Sequence, residues 1–177
     1  MLKRCFISIE LPEEVKKDIV KIQEELPEFY GKKTELENLH LTLKFLGEID
    51  YDKIEKVKDK LKNINIGKIN CSIDSLGFFS PNYIKIIWVH LNGCDEIQKE
   101  VDESLKDIFG KEKRFMSHIT IARVKSVKDK KKFMEELKKI KFEEINFCTD
   151  RVYLMESVLK QKGPEYKIIE CFYTEKI

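Results

Sequence analysis

The chain has few groups suited to proton transfer at neutral pH, no membrane-length apolar run and no charge excess of either sign. Of its 177 residues only His40, His90 and His118 are histidine, and only five are threonine. No apolar stretch approaches the length of a membrane helix, which excludes a helical membrane protein. No signal-type leader precedes the first strand-like run, and the expected location is cytoplasmic. Lys and Arg number 34 against 32 Asp and Glu, a formal charge of +2. That balance excludes general electrostatic capture of nucleic acid, so any basic site must be local. The five cysteines (Cys5, Cys71, Cys94, Cys148, Cys171) contain no C-x-x-C and no zinc spacing. An odd, scattered set fits a reducing compartment. Glutamine is limited to Gln23, Gln98 and Gln161 beside abundant Lys, Glu and Ile, a balance found in heat-tolerant proteins. No low-complexity tract or linker interrupts the chain, so residues 1–177 are expected to form a single domain.

Two of the three histidines stand in one repeated frame, His40-Leu41-Thr42-Leu43 and His118-Ile119-Thr120-Ile121. Each frame alternates polar and apolar residues, the pattern of a half-buried strand. Residues i and i+2 share a strand face. Histidine and threonine therefore point one way while Leu/Leu or Ile/Ile enter a core. Two such strands beside one cleft present two imidazoles and two hydroxyls.

The rest of the chain supplies the frames with a scaffold. Cys5–Ile9 has strand character. Val15, Ile19, Ile22 and Leu26 follow at helical spacing, with Pro27 ending the pattern. Asp52 is the expected cap of a second helix carrying Ile54, Val57 and Leu61. Strands are expected over Ile66–Phe79 and Tyr83–Leu91, then a helix carrying Ile97, Val101, Leu105 and Ile108, closed by Gly110. A fourth helix is expected from Ser126-x-x-Asp129, and two late strands near Ile145–Met155 and Tyr166–Tyr173. The order lacks the regular alternation of a doubly wound sheet. A helix, an H-x-T strand and a second helix recur in each half, which implies two similar lobes with a shared core.

This set suits acid–base chemistry on a phosphate. Opening a ribose 2′,3′-cyclic phosphate needs a base for water and an acid for the departing ribose oxygen, roughly in line through phosphorus. With an ordinary pKa of about 6.5, one imidazole can be neutral while the other is protonated. Threonine hydroxyls can donate to nonbridging oxygens. Nothing in the pattern calls for a cofactor, and no carboxylate cluster suggests a metal site. Arg123 suits phosphate, yet strict alternation places it on the face opposite Thr120 unless a bulge intervenes. Lys44, by parity, shares the face of His40. His90 ends a β run and is expected to be structural or exposed. Phe78 and Phe79 are expected to pack in the core, and Lys125–Lys132 to form a solvated basic face or an RNA guide.

The two frames resemble the H-x-T-x motifs of the two-histidine (2H) phosphoesterases, and most closely those of the RNA 2′,3′-cyclic phosphodiesterase, or 2′-5′ RNA ligase, family. Arg4–Ile9 resembles that family's opening strand, Glu37–Gly47 its first motif, His118–Arg123 its second, and Ser157 with Gly163–Tyr166 its closing segment. Met116-Ser117 precedes His118 where many relatives have proline. The resemblance implies an α+β, bilobal fold with pseudo-twofold symmetry, two antiparallel sheets lining a central cleft and helices outside. It implies hydrolysis of an RNA-terminal 2′,3′-cyclic phosphate to a 2′-phosphomonoester without a metal. His40 would be the proton donor, His118 the proton acceptor, and Thr42, Thr120, Arg123 and Tyr166 substrate contacts. The reverse reaction would form a 2′-5′ linkage. The expected partner is RNA with a cyclic end, bound by a monomer. The rival readings are a 2H enzyme for a small cyclic nucleotide or 2′-5′ oligoadenylate, and a non-catalytic RNA-end binder.

Overall fold

The computed structural model describes residues 1–161 and 163–173. In chain order these form β1 (Lys3–Glu10), α1 (Glu13–Glu24), β2 (Tyr30–Lys33), a short 3-10 turn (Leu36–Asn38), β3 (His40–Ile49), α2 (Tyr51–Leu61), β4 (Ile69–Phe78), β5 (Ile86–Asn92), α3 (Asp95–Leu105), β6 (His118–Ser126), α4 (Lys130–Lys139), β7 (Ile145–Thr149), β8 (Arg151–Lys160) and β9 (Gly163–Tyr173). The fold is α+β. Strands run in the order β7-β4-β5-β6-β3-β1-β8-β9, with β2 beside β6. All pairings are antiparallel.

The two H-x-T strands, β3 and β6, lie at the centre of this order. One residue pair, Leu41 with Ile119, joins them. On one side β3 continues through β1, β8 and β9; on the other β6 continues through β5, β4 and β7. Two four-strand halves of one sheet thus meet at the two motif strands. The helices cover the face carrying Ile7, Ile9, Leu41, Leu43, Val89, Leu91, Ile119 and Ile121, all fully buried or nearly so. From the helices come Val15, Ile19, Ile54, Val57, Ile97, Val101, Phe133 and Leu137. Each such side chain contributes roughly 1.5–3 kcal/mol on burial. The amphipathic spacing read from the sequence therefore selects which sheet face becomes core and leaves the other for the cleft. No helix among the described residues is long and apolar enough to cross a membrane.

Local differences from expectation have local causes. The stretch Ile145–Met155 is two strands, broken at Asp150: β7 pairs with β4, whereas β8 pairs with β1. The break is where the chain crosses from one array to the other, which apolar alternation does not mark. β2 was not expected, because Tyr30–Lys33 is exposed throughout and carries no apolar face. Asp50, not Asp52, caps α2 by accepting from the Lys53 amide at 2.9 Å. Asp129 alone caps α4, accepting from the Lys132 amide at 3.0 Å, while Ser126 ends β6. Gly110 lies beyond the end of α3, and its carbonyl accepts a bond from Lys44 Nζ at 2.8 Å.

Candidate active site

Strand register assembles the site. Because Leu41 pairs antiparallel with Ile119, His40 stands across from Thr120 and Thr42 across from His118. The four polar side chains occupy one face, opposite the helices. The imidazoles sit on its diagonal, with backbones roughly 7–8 Å apart. Neighbouring strands extend the pattern. Glu10 pairs with His40 and Ser8 with Thr42. His90 pairs with His118 and Trp88 with Thr120. A pseudo-twofold through Leu41 and Ile119 exchanges His40 with His118 and Glu10 with His90.

Both motif strands carry a bulge three residues after the histidine. Ile7 pairs with Lys44 and Ser8 with Thr42, so Leu43 is the extra residue. Ile87 pairs with Ala122 and Trp88 with Thr120, so Ile121 is the extra residue in β6. A bulge inverts the parity of everything after it. Lys44 and Ala122 consequently enter the core, and Phe45 and Arg123 return to the cleft face, both exposed. This overturns the expectation that Lys44 shares the face of His40. Lys44 is 4% exposed and ion-paired with Asp102 of α3. It also shows why Arg123, misplaced by strict alternation, joins His118 and Thr120.

Gln23 secures the β6 bulge. Its buried side-chain amide donates to the carbonyls of Ile121 and Thr34, both at 2.8 Å. The signal in the sequence was a polar residue among the apolar positions of α1, four residues after Ile19. Gly77 has a similar supporting role beneath Trp88: a Cβ there would lie 2.5 Å from the indole ring.

Each histidine is anchored the same way. His40 Nδ1–H donates to the Asn38 carbonyl at 2.8 Å, and His118 Nδ1–H to the Met116 carbonyl at 2.8 Å. Both acceptors lie two residues upstream. The bonds fix the tautomer and leave Nε2 for chemistry. Thr42 donates its hydroxyl to His40 Nε2 at 3.0 Å. Aromatic rings flank the imidazoles: Phe6 at 5.0 Å and Tyr166 at 4.9 Å from His40, and Phe79 at 4.9 Å from His118. Tyr166 reaches His40 from β9 because the sheet curls, and Asn38 ties that segment down by donating to the Pro164 carbonyl at 3.1 Å. Phe79, half-exposed beside His118, is not the core residue expected, whereas Phe78 does pack against the core.

Protein crowds both rings although part of each stays accessible. Burial pushes the His40 pKa down to about 4, with Lys16, Arg123 and His118 adding like-charge repulsion and the Asn38 carbonyl opposing it. Burial also lowers His118, and Arg123 acts in the same direction. Both shifts favour the neutral imidazole. Burial raises Glu10, which Lys16 and Ser8 partly offset. His90, expected to be structural or exposed, stays partly exposed and shares the cleft face as the cross-strand neighbour of His118, and its Nδ1 lies 3.3 Å from Asp74 Oδ1. Among the described residues no group of three or more His, Cys, Asp or Glu is arranged to hold a metal ion.

The chain matches known proteins over most of its length. The family described as LigT like Phosphoesterase matches residues 9–88 and 92–166. A protein of Methanocaldococcus jannaschii named RNA 2′,3′-cyclic phosphodiesterase is 37% identical over 172 residues, covering 94% of this chain and 98% of its own. One of the same name from Thermotoga maritima is 34% identical over 179 residues, covering 95% and 94%. Among solved structures, E. coli LigT complexed with 3′-AMP superimposes with a TM-score of 0.80 at 18% identity, covering 99% of this chain and 100% of that one. That likeness concerns the fold; the sequence matches carry the family. The chain belongs to the LigT-like phosphoesterase family.

Proposed function

We propose that this protein is a phosphoric diester hydrolase that opens the 2′,3′-cyclic phosphate at the end of an RNA to a 2′-phosphomonoester. Its relatives are named RNA 2′,3′-cyclic phosphodiesterase. The observation that carries the reading is the diagonal His/Thr square on the cleft face, with both Nδ1 atoms bonded to backbone carbonyls.

In this reading the phosphorus sits over the square, between the imidazoles. His118 Nε2 takes a proton from water as its oxygen bonds to phosphorus. The P–O3′ bond breaks on the opposite side, and His40 Nε2–H gives its proton to O3′. O2′ keeps the phosphate. One water is consumed and one 3′-hydroxyl appears. Thr42 and Thr120 donate to nonbridging oxygens, Arg123 offsets the phosphate charge, and Tyr166 holds the His40 ring. Each well-placed acid or base is typically worth about 10²–10⁴ in rate. The downward shift of both imidazoles fits this scheme because the phosphodiester anion favours a charged imidazole. Substrate binding therefore supplies the driving force for protonating the acid. The same sequence, with a ribose 5′-hydroxyl in place of water, forms a 2′-5′ linkage.

The same reading takes residues 1–177 as one domain of two related lobes, working as a cytoplasmic monomer without a metal. The mirrored bulges and the central pairing of β3 with β6 support the two-lobe description. The deciding experiment is product analysis on a short RNA ending in a cyclic phosphate, with and without EDTA. Phosphate left on O2′, at a rate indifferent to EDTA, is the expected result. Phosphate left on O3′, turnover confined to small cyclic nucleotides or 2′-5′ oligoadenylate, or activity restored only by a divalent ion would each overturn part of the assignment.

A further inference from the structure

The pseudo-twofold relates the two motifs, but not what lies beyond them. Five residues after each histidine, past the bulge, stands Phe45 in one array and Arg123 in the other. The two ends of the cleft consequently differ in charge. Along β6 the chain runs from His118 through Thr120, which faces His40, to Arg123 and Lys125. This direction leads off the His40 end of the square, away from His118. At that end Lys32 of β2 pairs across from Arg123 and is ion-paired with Glu35. Gly31 permits this close approach, since a Cβ there would collide with the Arg123 carbonyl. The opposite end presents Phe45, 70% exposed, and Arg4 cross-strand from Glu48.

Beside Lys125 the segment entering β5 runs along β6, the Val124 amide donating to the Lys85 carbonyl at 2.8 Å, and two residues before Lys85 stands an exposed ring. Tyr83 is 67% exposed, with Lys85 Nζ 5.1 Å and Lys130 Nζ 5.9 Å from its centroid. Lys130 is held there by donating to the Asn82 carbonyl at 2.9 Å. The basic run read from the sequence thus divides. Lys128 pairs with Glu28 and Lys132 with Glu136, as a solvated face does, while Lys130 turns to the tyrosine. A line of cations ending at an exposed aromatic ring is how proteins hold single-stranded nucleic acid without reading its sequence.

Resting on the function proposed above, we propose that this edge, from Arg123 and Lys125 to the Tyr83–Lys130 pair, is the track for the RNA strand upstream of the reacting end. Chemistry sets the direction. The leaving O3′ belongs to the ribose that carries the rest of the RNA, so that ribose lies on the side of the acid, His40. From Thr120 to Lys125 the strand covers roughly 13–16 Å, beyond the span of one nucleotide. The track therefore distinguishes an RNA end from a free cyclic nucleotide, and it is sequence-tolerant.

The test compares kcat/KM for a 2′,3′-cyclic mononucleotide with that for a single-stranded RNA of about eight nucleotides bearing the same end. The wild type is expected to favour the RNA. K125A/K130A is expected to lose roughly tenfold more on the RNA than on the mononucleotide, and its log–log salt dependence on the RNA to flatten by about 1.4. Arg4→Ala, at the other end, is expected to cost both substrates equally. If the wild type turns over both substrates alike, or if Arg4→Ala and not K125A/K130A carries the length dependence, the track is wrong and the catalytic assignment stands. No turnover of either substrate overturns the assignment and the track together.

Discussion

Binding of the phosphate should move the pH profile of this enzyme by a predictable amount. Burial pushes His40 from 6.5 to about 4. That difference is worth about 3 kcal/mol against the imidazolium. A phosphodiester anion roughly 4 Å from the ring, at an effective dielectric of about 20, favours the imidazolium by about 4 kcal/mol. The sign is opposite and the size sufficient, so the acid regains its proton in the complex. Because kcat/KM reports the free enzyme and kcat the complex, the two profiles should separate. The kcat/KM profile should have its limbs below 6.5, since burial lowers both histidines. The kcat profile should lie about 2–3 pH units higher. Both limbs belong to the coupled pair and not to single residues. Initial rates on a cyclic-phosphate-ended RNA, fitted separately for kcat and KM across the acid and neutral range, measure this. Coincident profiles would refute the reasoning, because the charge that protonates the acid would then have to come from the protein.

Other outcomes follow from the same geometry. His40→Ala and His118→Ala should each lower kcat by about 10²–10⁴ while keeping a cooperative unfolding transition; near-wild-type turnover in either removes that residue from the mechanism. Folded His40 refuses a proton that the unfolded chain accepts between 6.5 and about 4, so stability should fall as pH drops through that window, by up to about 3 kcal/mol, and less in His40→Asn when urea midpoints are compared. Gln23→Met removes donors to the Ile121 and Thr34 carbonyls and should cost about 1–3 kcal/mol. It should also make Arg123→Ala nearly silent in a double-mutant cycle on kcat/KM; full additivity would show that the bulge does not position Arg123. Lys44→Met strands the buried Asp102 carboxylate and should destabilise by about 3–5 kcal/mol, read from chemical denaturation.

The sequence carries what local pattern encodes. Alternation in the two H-x-T frames gave the strands and the shared face of histidine and threonine. Helical spacing in Val15–Leu26 gave α1. Parity failed where local pattern stops being informative, at Leu43 and Ile121. A bulge is a property of the pairing between strands, not of either strand, so alternation alone puts Lys44 on the wrong face and leaves Arg123 ambiguous. β2 escaped notice because it has no buried face, and the β7–β8 break because a crossover between arrays leaves the apolar pattern unchanged. Local pattern puts Phe79 in the core and leaves His90 structural or exposed, because their places beside His118 follow only from strand pairing.

By itself the sequence determined the chemical inventory: two histidines and two threonines at a spacing that puts each pair on one side of a strand. The tertiary structure alone decided that the pairs lie diagonally across Leu41 and Ile119, that bulges send Arg123 to the cleft and Lys44 to the core, and that burial pushes the pKa of both imidazoles down. The division has a physical reason. Side-chain direction along a strand follows from backbone geometry every two residues, whereas register, curl and dielectric surroundings arise only when distant segments pack together.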